Sequence, residues 1–268
     1  MDSRSERAHA VLVGAAYADA LAMPTCGMTP EQITSVYGDF RELIDADASH
    51  TTMPGAPAGT VTEVTREILA EASALLGGSF SFPVAADNAH SPTDHTHARR
   101  CVLRAIPVGI ATSTQDPEAF ADAVWEACAE GPTTRQEFQA AALIAAFISI
   151  GLDWPDSRPM DIRGVLWETV NYVASMEQRG SWSAEPDVLA TTRRAANVVS
   201  CQRSMYFSEF TKAFGHPSTP TQIVPFALAF TLHVLLGFSP YVARLGGDTT
   251  SCSALVAALM GSVLGASA

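Results

Sequence analysis

The fold is decided by the stretch LGGDTTS, residues 245–251, together with the apolar segment that it opens. Asp248 is a favoured N-cap residue, and the periodicity that follows predicts a helix over residues 249–264. The stretch TEVT, residues 62–65, has the same character, because Thr62 is also a favoured N-cap before an apolar-periodic segment. Each helix N-terminus carries partial positive charge, so both helix starts are candidate sites for charged groups.

Helical periodicity continues through the rest of the chain, with no convincing alternating pattern of a strand, so we predict an all-α fold. Further helices are predicted over residues 6–23, 29–38, 62–76, 99–112, 117–130, 135–151, 161–178, 187–200, 204–214 and 220–237. The second begins with the capping box TPEQ, residues 29–32, which has proline at N1. Residues 223–238 are apolar but shorter than the roughly 20 residues of a membrane span, and they predict a buried core helix.

Asp19 interrupts the first predicted helix, which is otherwise apolar on nearly all sides. A carboxylate in such a helix is costly unless it is paired or ligates something. We favour a structural buried acid that accepts hydrogen bonds from backbone and hydroxyl groups. The alternative is a residue that orients neighbouring ligands.

Composition limits the partners and the compartment. The 268 residues are 47% hydrophobic, which is enough for one large core. The net charge of -12 and the single lysine, Lys212, argue against a nucleic-acid partner, although helix N-termini can hold the phosphates of a small molecule. The five cysteines are widely spaced without a CxxC pair, so we expect neither a zinc site nor disulfides. A cytoplasmic location is expected, because the polar N-terminus MDSRSER has no signal-peptide pattern.

Four segments carry a resemblance to a known family. They are GAAYADALAMPTC (14–26), PAGTVTEVT (57–65), the second half of residues 98–109, which ends LRAIPVG, and LGGDTTS (245–251). They are similar, in order and spacing, to the motifs GDALG-x-P-x-E, G-x-x-TDDT, NGAAMR-x-x-PVG and LGGDTDT. The chain thus resembles a divergent member of the ADP-ribosylglycohydrolase family, of the dinitrogenase reductase-activating glycohydrolase type.

This resemblance implies a compact orthogonal helical domain that covers residues 1–268 as one unit. It also implies a cleft in which the TDD and DTDT helix starts hold two magnesium ions. The implied reaction is hydrolysis of an N- or O-glycosidic bond to ADP-ribose or a related riboside. Magnesium takes about six oxygen ligands, so a pair of ions needs several shared carboxylates.

The metal ligands that the resemblance implies are partly replaced. Thr62 and Asp248 are kept, while Glu63, Val64, Thr250, Ser251 and Cys26 stand where the family has Asp, Asp, Asp, Thr and Glu. A two-magnesium centre is therefore not expected. We expect at most one magnesium ion, held by Thr62, Glu63, Asp248 and Ser251, or no metal. Glu63 and Asp248 are the predicted catalytic pair, because they are the carboxylates that remain at the two helix starts.

Cys26, Arg104, Gly246 and Gly247 are predicted to contact the substrate, because they lie within the matching motifs. An arginine fork pairs well with phosphate oxygens, which favours this role for Arg104. A nucleophilic role for Cys26 is not expected, since no histidine is placed by sequence to activate it.

Two further groups have simpler explanations. Arg99 and Arg100 are explained equally well by a surface helix face as by a phosphate contact. His90, Asp94, His95 and His97 have loose metal-ligand spacing, but a solvated loop is the simpler interpretation.

Two functions from different classes follow. The first is an enzyme that cleaves an N-ribosidic, or related glycosidic, bond of a nucleoside- or ADP-ribose-like small molecule. Such an enzyme could also be a repurposed tailoring enzyme of a specialised biosynthetic pathway. The second is a non-catalytic relative that keeps the fold as a binding or structural protein. An open polar cleft at Glu63, Asp248, Thr250 and Ser251 would favour the enzyme, and a filled or apolar one the binding protein.

Overall fold

The helices begin and end close to the positions that caps and apolar periodicity predict. The computed structural model describes residues 3–79, 95–201, 219–235 and 242–265. In this part of the chain the helices are α1 (Ser3–Ala22), α2 (Pro30–Tyr37), α3 (Glu63–Leu75), α4 (His95–Ala111), α5 (Pro117–Ala127), α6 (Arg135–Leu152), α7 (Ile162–Ser175), α8 (Val188–Cys201), α9 (Pro220–Leu235) and α10 (Thr249–Leu264). Two 3-10 turns, Met23–Thr25 and Val242–Arg244, lie between them. No β-strand occurs among the described residues, and the all-α prediction is confirmed.

Side-chain caps start the helices on which the site depends. The capping box predicted at Thr29 and Gln32 is present at the start of α2. The Thr62 hydroxyl accepts the Val64 N–H at the start of α3, and Asp248 caps α10. The helix predicted over residues 204–214 lies outside the described residues.

α6 lies at the centre of the fold. Every residue from 138 to 152 is buried, and α4, α7, α9 and α10 pack around this helix. Side chains from α1 and from α3 to α10 share one hydrophobic core. The assignment of residues 1–268 to one domain stays a prediction. No single helix in the described ranges is long and apolar enough to cross a membrane. Among these residues, the segments Ser3–Thr25 and Pro30–Tyr37 reach that length and apolar composition only when taken together, and the chain bends by 87° between them.

α1 and α10 run antiparallel along each other. A Cβ at Gly261 would lie 2.7 Å from the backbone of Ala10, an approach that only glycine permits. Further along, Gly14 lies against Ala257. Because the helices are antiparallel, the end of α1 meets the start of α10, and this junction positions the candidate site.

Candidate functional site

Asp19 ties the start of α3 to α1. The side chain is fully buried, and its carboxylate accepts four hydrogen bonds. Thr62 donates its backbone N–H at 2.8 Å and its hydroxyl at 2.6 Å, and Thr65 donates its N–H at 3.2 Å and its hydroxyl at 2.6 Å. Burial raises the pKa of Asp19, and the four hydrogen bonds oppose that shift. These contacts fit the structural acid that the sequence favoured, and they fix the place where α3 begins.

Asp248 holds the first turn of α10. Its Oδ1 accepts the backbone N–H of Ser251 and the hydroxyl of Thr250, both at 3.1 Å. Thr250 and Ser251 are only 2% and 1% exposed, so the turn is packed rather than open at these side chains. The Ser251 hydroxyl has no hydrogen-bond partner among the described residues. Thr250 therefore supports the cap where the family motif has a carboxylate.

The 3-10 turn after α1 contacts the same end of α10. The hydroxyls of Thr25 and Thr249 lie 3.2 Å apart, and Cys26 Sγ lies 3.5 Å from the Thr250 hydroxyl. Burial raises the pKa of the Cys26 thiol to about 11. The residue is therefore a neutral thiol near pH 7. Its contact with a substrate stays a prediction.

Gly246 and Gly247 hold the turn before α10 against the turn before α2. Gly27 donates its N–H to the Gly247 carbonyl at 2.9 Å, and Gly247 donates its N–H to the Met28 carbonyl at 3.0 Å. Gly246 has a φ of 78°, and a Cβ there would lie 2.8 Å from Pro30 and 2.9 Å from the Met28 carbonyl oxygen. The pair has a clear packing role, and its predicted contact with a substrate stays a prediction.

Glu63, the first residue of α3, faces α4. Its Oε2 accepts a hydrogen bond from Arg99 Nη2 at 3.0 Å, and its Oε1 lies 3.9 Å from Arg100 Nη2. The Glu63 side chain is 34% exposed, so the carboxylate is paired and still in contact with solvent. Of the three arginines considered from the sequence, Arg99 makes the shortest contact with the predicted catalytic glutamate.

Arg104 lies further along the same helix interface. Its guanidinium is 2.7 Å from Glu130, 3.2 Å from Glu67 and 3.9 Å from Glu71. Its contact with a substrate phosphate stays a prediction. The sequence held a signal for these ion pairs between α3 and α4. Glutamates recur every four residues on α3, and arginines have the same spacing at positions 100 and 104 on α4.

His50 lies beside the candidate site and was missed in the sequence. The side chain is 7% exposed, and its Nδ1 accepts the backbone N–H groups of Met53 at 3.0 Å and Thr52 at 3.3 Å. Burial lowers the pKa of His50, and the backbone of Cys26 opposes that shift. The loop between α2 and α3 therefore reaches the 3-10 turn. This loop has no periodicity from which its path could be predicted.

Of the histidines singled out in the sequence, His97 is the one whose side chain lies among the described residues. His90 and Asp94 lie outside the described residues. His97 Nε2 lies 3.1 Å from the Thr133 hydroxyl and 3.5 Å from Cys101 Sγ. His97 thus contacts one side chain of its own helix, α4, and one side chain of the turn before α6.

The donor groups at the two helix starts do not fit a two-ion magnesium centre. Within the described ranges, no group of three or more His, Cys, Asp or Glu side chains is arranged to hold a metal ion. Val64 is apolar and 1% exposed, the Thr62 hydroxyl donates to Asp19, and Glu63 is paired with Arg99. Magnesium requires about six oxygens, so the residues present supply too few ligands for two ions.

The fold and the site define an all-α protein in which two capped helix starts, each with one acidic side chain, are joined through the end of α1. A family model described as ADP-ribosylglycohydrolase matches residues 82–268. The chain belongs to the ADP-ribosylglycohydrolase family, whose members are glycohydrolases that act on ADP-ribose-like substrates and usually use divalent metal ions. No match was found among curated proteins. The matched range begins after α3, so the roles of segments 14–26 and 57–65 depend on their motifs and contacts.

Proposed function

We propose that the chain hydrolyses an N-ribosidic, or related glycosidic, bond of a nucleoside- or ADP-ribose-like small molecule, with Glu63 and Asp248 as its catalytic carboxylates. The junction of the two helix starts is the observation that carries this proposal. Asp19 binds the start of α3 through Thr62, and Cys26, four residues after the end of α1, contacts the start of α10. The end of α1 therefore brings both acidic helix starts to one region.

The two carboxylates divide the chemistry of glycoside hydrolysis. One removes a proton from a water molecule whose oxygen attacks the anomeric carbon. The bond from that carbon to the leaving nitrogen or oxygen breaks, and its electron pair departs with the leaving atom, which then takes up the proton. The other carboxylate lies beside the positive charge that develops on the sugar ring.

We also infer a cytoplasmic enzyme with a small-molecule substrate and with neither a nucleic-acid nor a membrane partner. The net charge of -12 supports this, because a nucleic acid would be repelled. A tailoring reaction in a specialised biosynthetic pathway is the biological role that we propose. Its support is the replacement of family carboxylates at Val64, Thr250 and Cys26, which points to altered chemistry at a retained fold.

The test is turnover of a panel of nucleosides, NAD and ADP-ribose conjugates by the wild type and by Glu63→Gln and Asp248→Asn. Each substitution should lower turnover at least about 100-fold, the scale of lost acid–base help. Asn is also a favoured N-cap, so Asp248→Asn leaves the start of α10 capped. Matched controls are Glu118→Gln, in the first turn of α5, and Asp116→Asn, the N-cap of the same helix. Both controls should keep wild-type turnover.

The same panel decides between the two classes of function. A wild type that binds a nucleoside or ADP-ribose without turning over any compound would support the alternative, a non-catalytic binding protein. The burial of Thr250 and Ser251 is the observation that favours that alternative. If Glu63→Gln and Asp248→Asn both keep wild-type turnover, the chemistry lies elsewhere.

A further inference from the structure

The Glu63 carboxylate has guanidinium groups on both of its oxygens. Arg99 binds Oε2 at 3.0 Å and Arg100 approaches Oε1 at 3.9 Å. A cation therefore already lies at the carboxylate that the family motif would offer to a metal. Both arginines come from the first two turns of α4, and Arg99 is the more buried, with 21% of its side chain exposed against 39% for Arg100.

The charge of Arg99 also acts on the second helix start. Burial is the main reason why the pKa of the Cys26 thiol is raised. The negative charge of Asp248 raises this pKa further, and the positive charge of Arg99 lowers it. Both charges therefore lie close enough to act on the same sulfur atom, which contacts the first turn of α10. Arg99 thus lies beside Glu63, and its charge also acts on the thiol that contacts the first turn of α10.

Arg99 retains a donor beyond its pair with Glu63. Its Nε is buried and has no hydrogen-bond acceptor among the described residues. This Nε is covered by the protein, so Arg99 acts at the site through its charge and through the Nη2 that binds Glu63.

We propose that the Arg99 guanidinium supplies, at these two helix starts, the positive charge that a divalent metal ion supplies in the family. The inference depends on the proposed function only in taking the two helix starts as the reaction centre. Because Arg99 and a metal ion would share the Glu63 carboxylate, and because like charges repel, the two should exclude each other.

The experiment is calorimetric titration with Mn²⁺, which requires no turnover. The family ligands are restored together by Cys26→Glu, Val64→Asp and Thr250→Asp, and this triple variant is compared with and without Arg99→Met. Removing the guanidinium should tighten Mn²⁺ binding at least about 10-fold. The control is Arg179→Met in the same background, because Arg179, which follows α7 in the chain, pairs with Asp122 of α5; it should leave the affinity unchanged.

A second comparison uses the native background, in case the triple variant does not fold by circular dichroism. There Arg99→Met should again bind Mn²⁺ at least about 10-fold more tightly than the wild type, and Arg99→Lys, which keeps the charge, should behave as the wild type. Equal Mn²⁺ affinity with and without Arg99, in whichever background folds, would overturn the inference. If the substrate panel gives no turnover, the proposed function fails, but the titration still decides the role of Arg99.

Discussion

Replacing Asp19 with alanine should destabilise the fold far more than the loss of an ordinary helix cap. The substitution removes the acceptor of four hydrogen bonds at a fully buried site and leaves the backbone N–H groups of Thr62 and Thr65 unpaired. An orphaned buried donor costs about 1–3 kcal/mol, so two give about 2–6 kcal/mol. That is a large part of the roughly 5–15 kcal/mol by which a domain is stable.

Urea denaturation followed by circular dichroism measures this cost as a change in the free energy of unfolding. The control is Asp116→Ala, because Asp116 is an exposed N-cap that accepts one hydrogen bond, from Ala119 at 3.1 Å. It should cost about 1 kcal/mol. Asp19→Asn keeps one acceptor oxygen, so its loss of unfolding free energy should lie between the losses of Asp19→Ala and Asp116→Ala. If Asp19→Ala costs no more than Asp116→Ala, the carboxylate does not anchor α3, and our account of the site's assembly is wrong.

Two further predictions concern the loops around the site. In Gly246→Ala, the new Cβ would collide with Pro30 and the Met28 carbonyl. Urea denaturation should show that this variant loses at least about 1 kcal/mol more free energy of unfolding than Gly27→Ala, where φ is also positive but the space is open. Equal losses in the two variants would contradict the close packing at Gly246. Burial lowers the pKa of His50 from 6.5, so its contribution to stability is complete above pH 6.5 and is lost on acidification. The wild type should therefore lose more stability than His50→Gln between about pH 7.5 and about pH 5.5, and equal losses would exclude His50 as the source.

The positions of the helices could be predicted from sequence because the signals are local. The capping box at Thr29 and the caps at Thr62 and Asp248 each depend on residues within one turn. The apolar periodicity of α6 and α9 likewise needs no knowledge of the neighbouring helices. The all-α class and the resemblance to the ADP-ribosylglycohydrolase family followed from such local patterns.

The contacts of the candidate site could not be predicted in the same way, because they join residues distant in sequence. Arg99 lies 36 positions after Glu63, and nothing local distinguishes it from Arg104 as a partner of the site. His50 comes from a loop whose path depends on the packing beneath it. The structural role of Asp19 was the exception, because a lone carboxylate in an apolar helix demands partners wherever they come from.

Because α6 is buried, the hydrogen–deuterium exchange of its backbone amides should report how often the whole fold opens. The backbone amides from 138 to 152 are enclosed by the surrounding helices, so deuterium should reach them only when the whole fold opens. Amides at the exposed start of α1 or in the loop before α3 should exchange through smaller, local openings. The slowest peptides in a mass-spectrometric exchange experiment would then report global opening directly. A substitution that loosens only the reaction centre would leave their exchange rate unchanged.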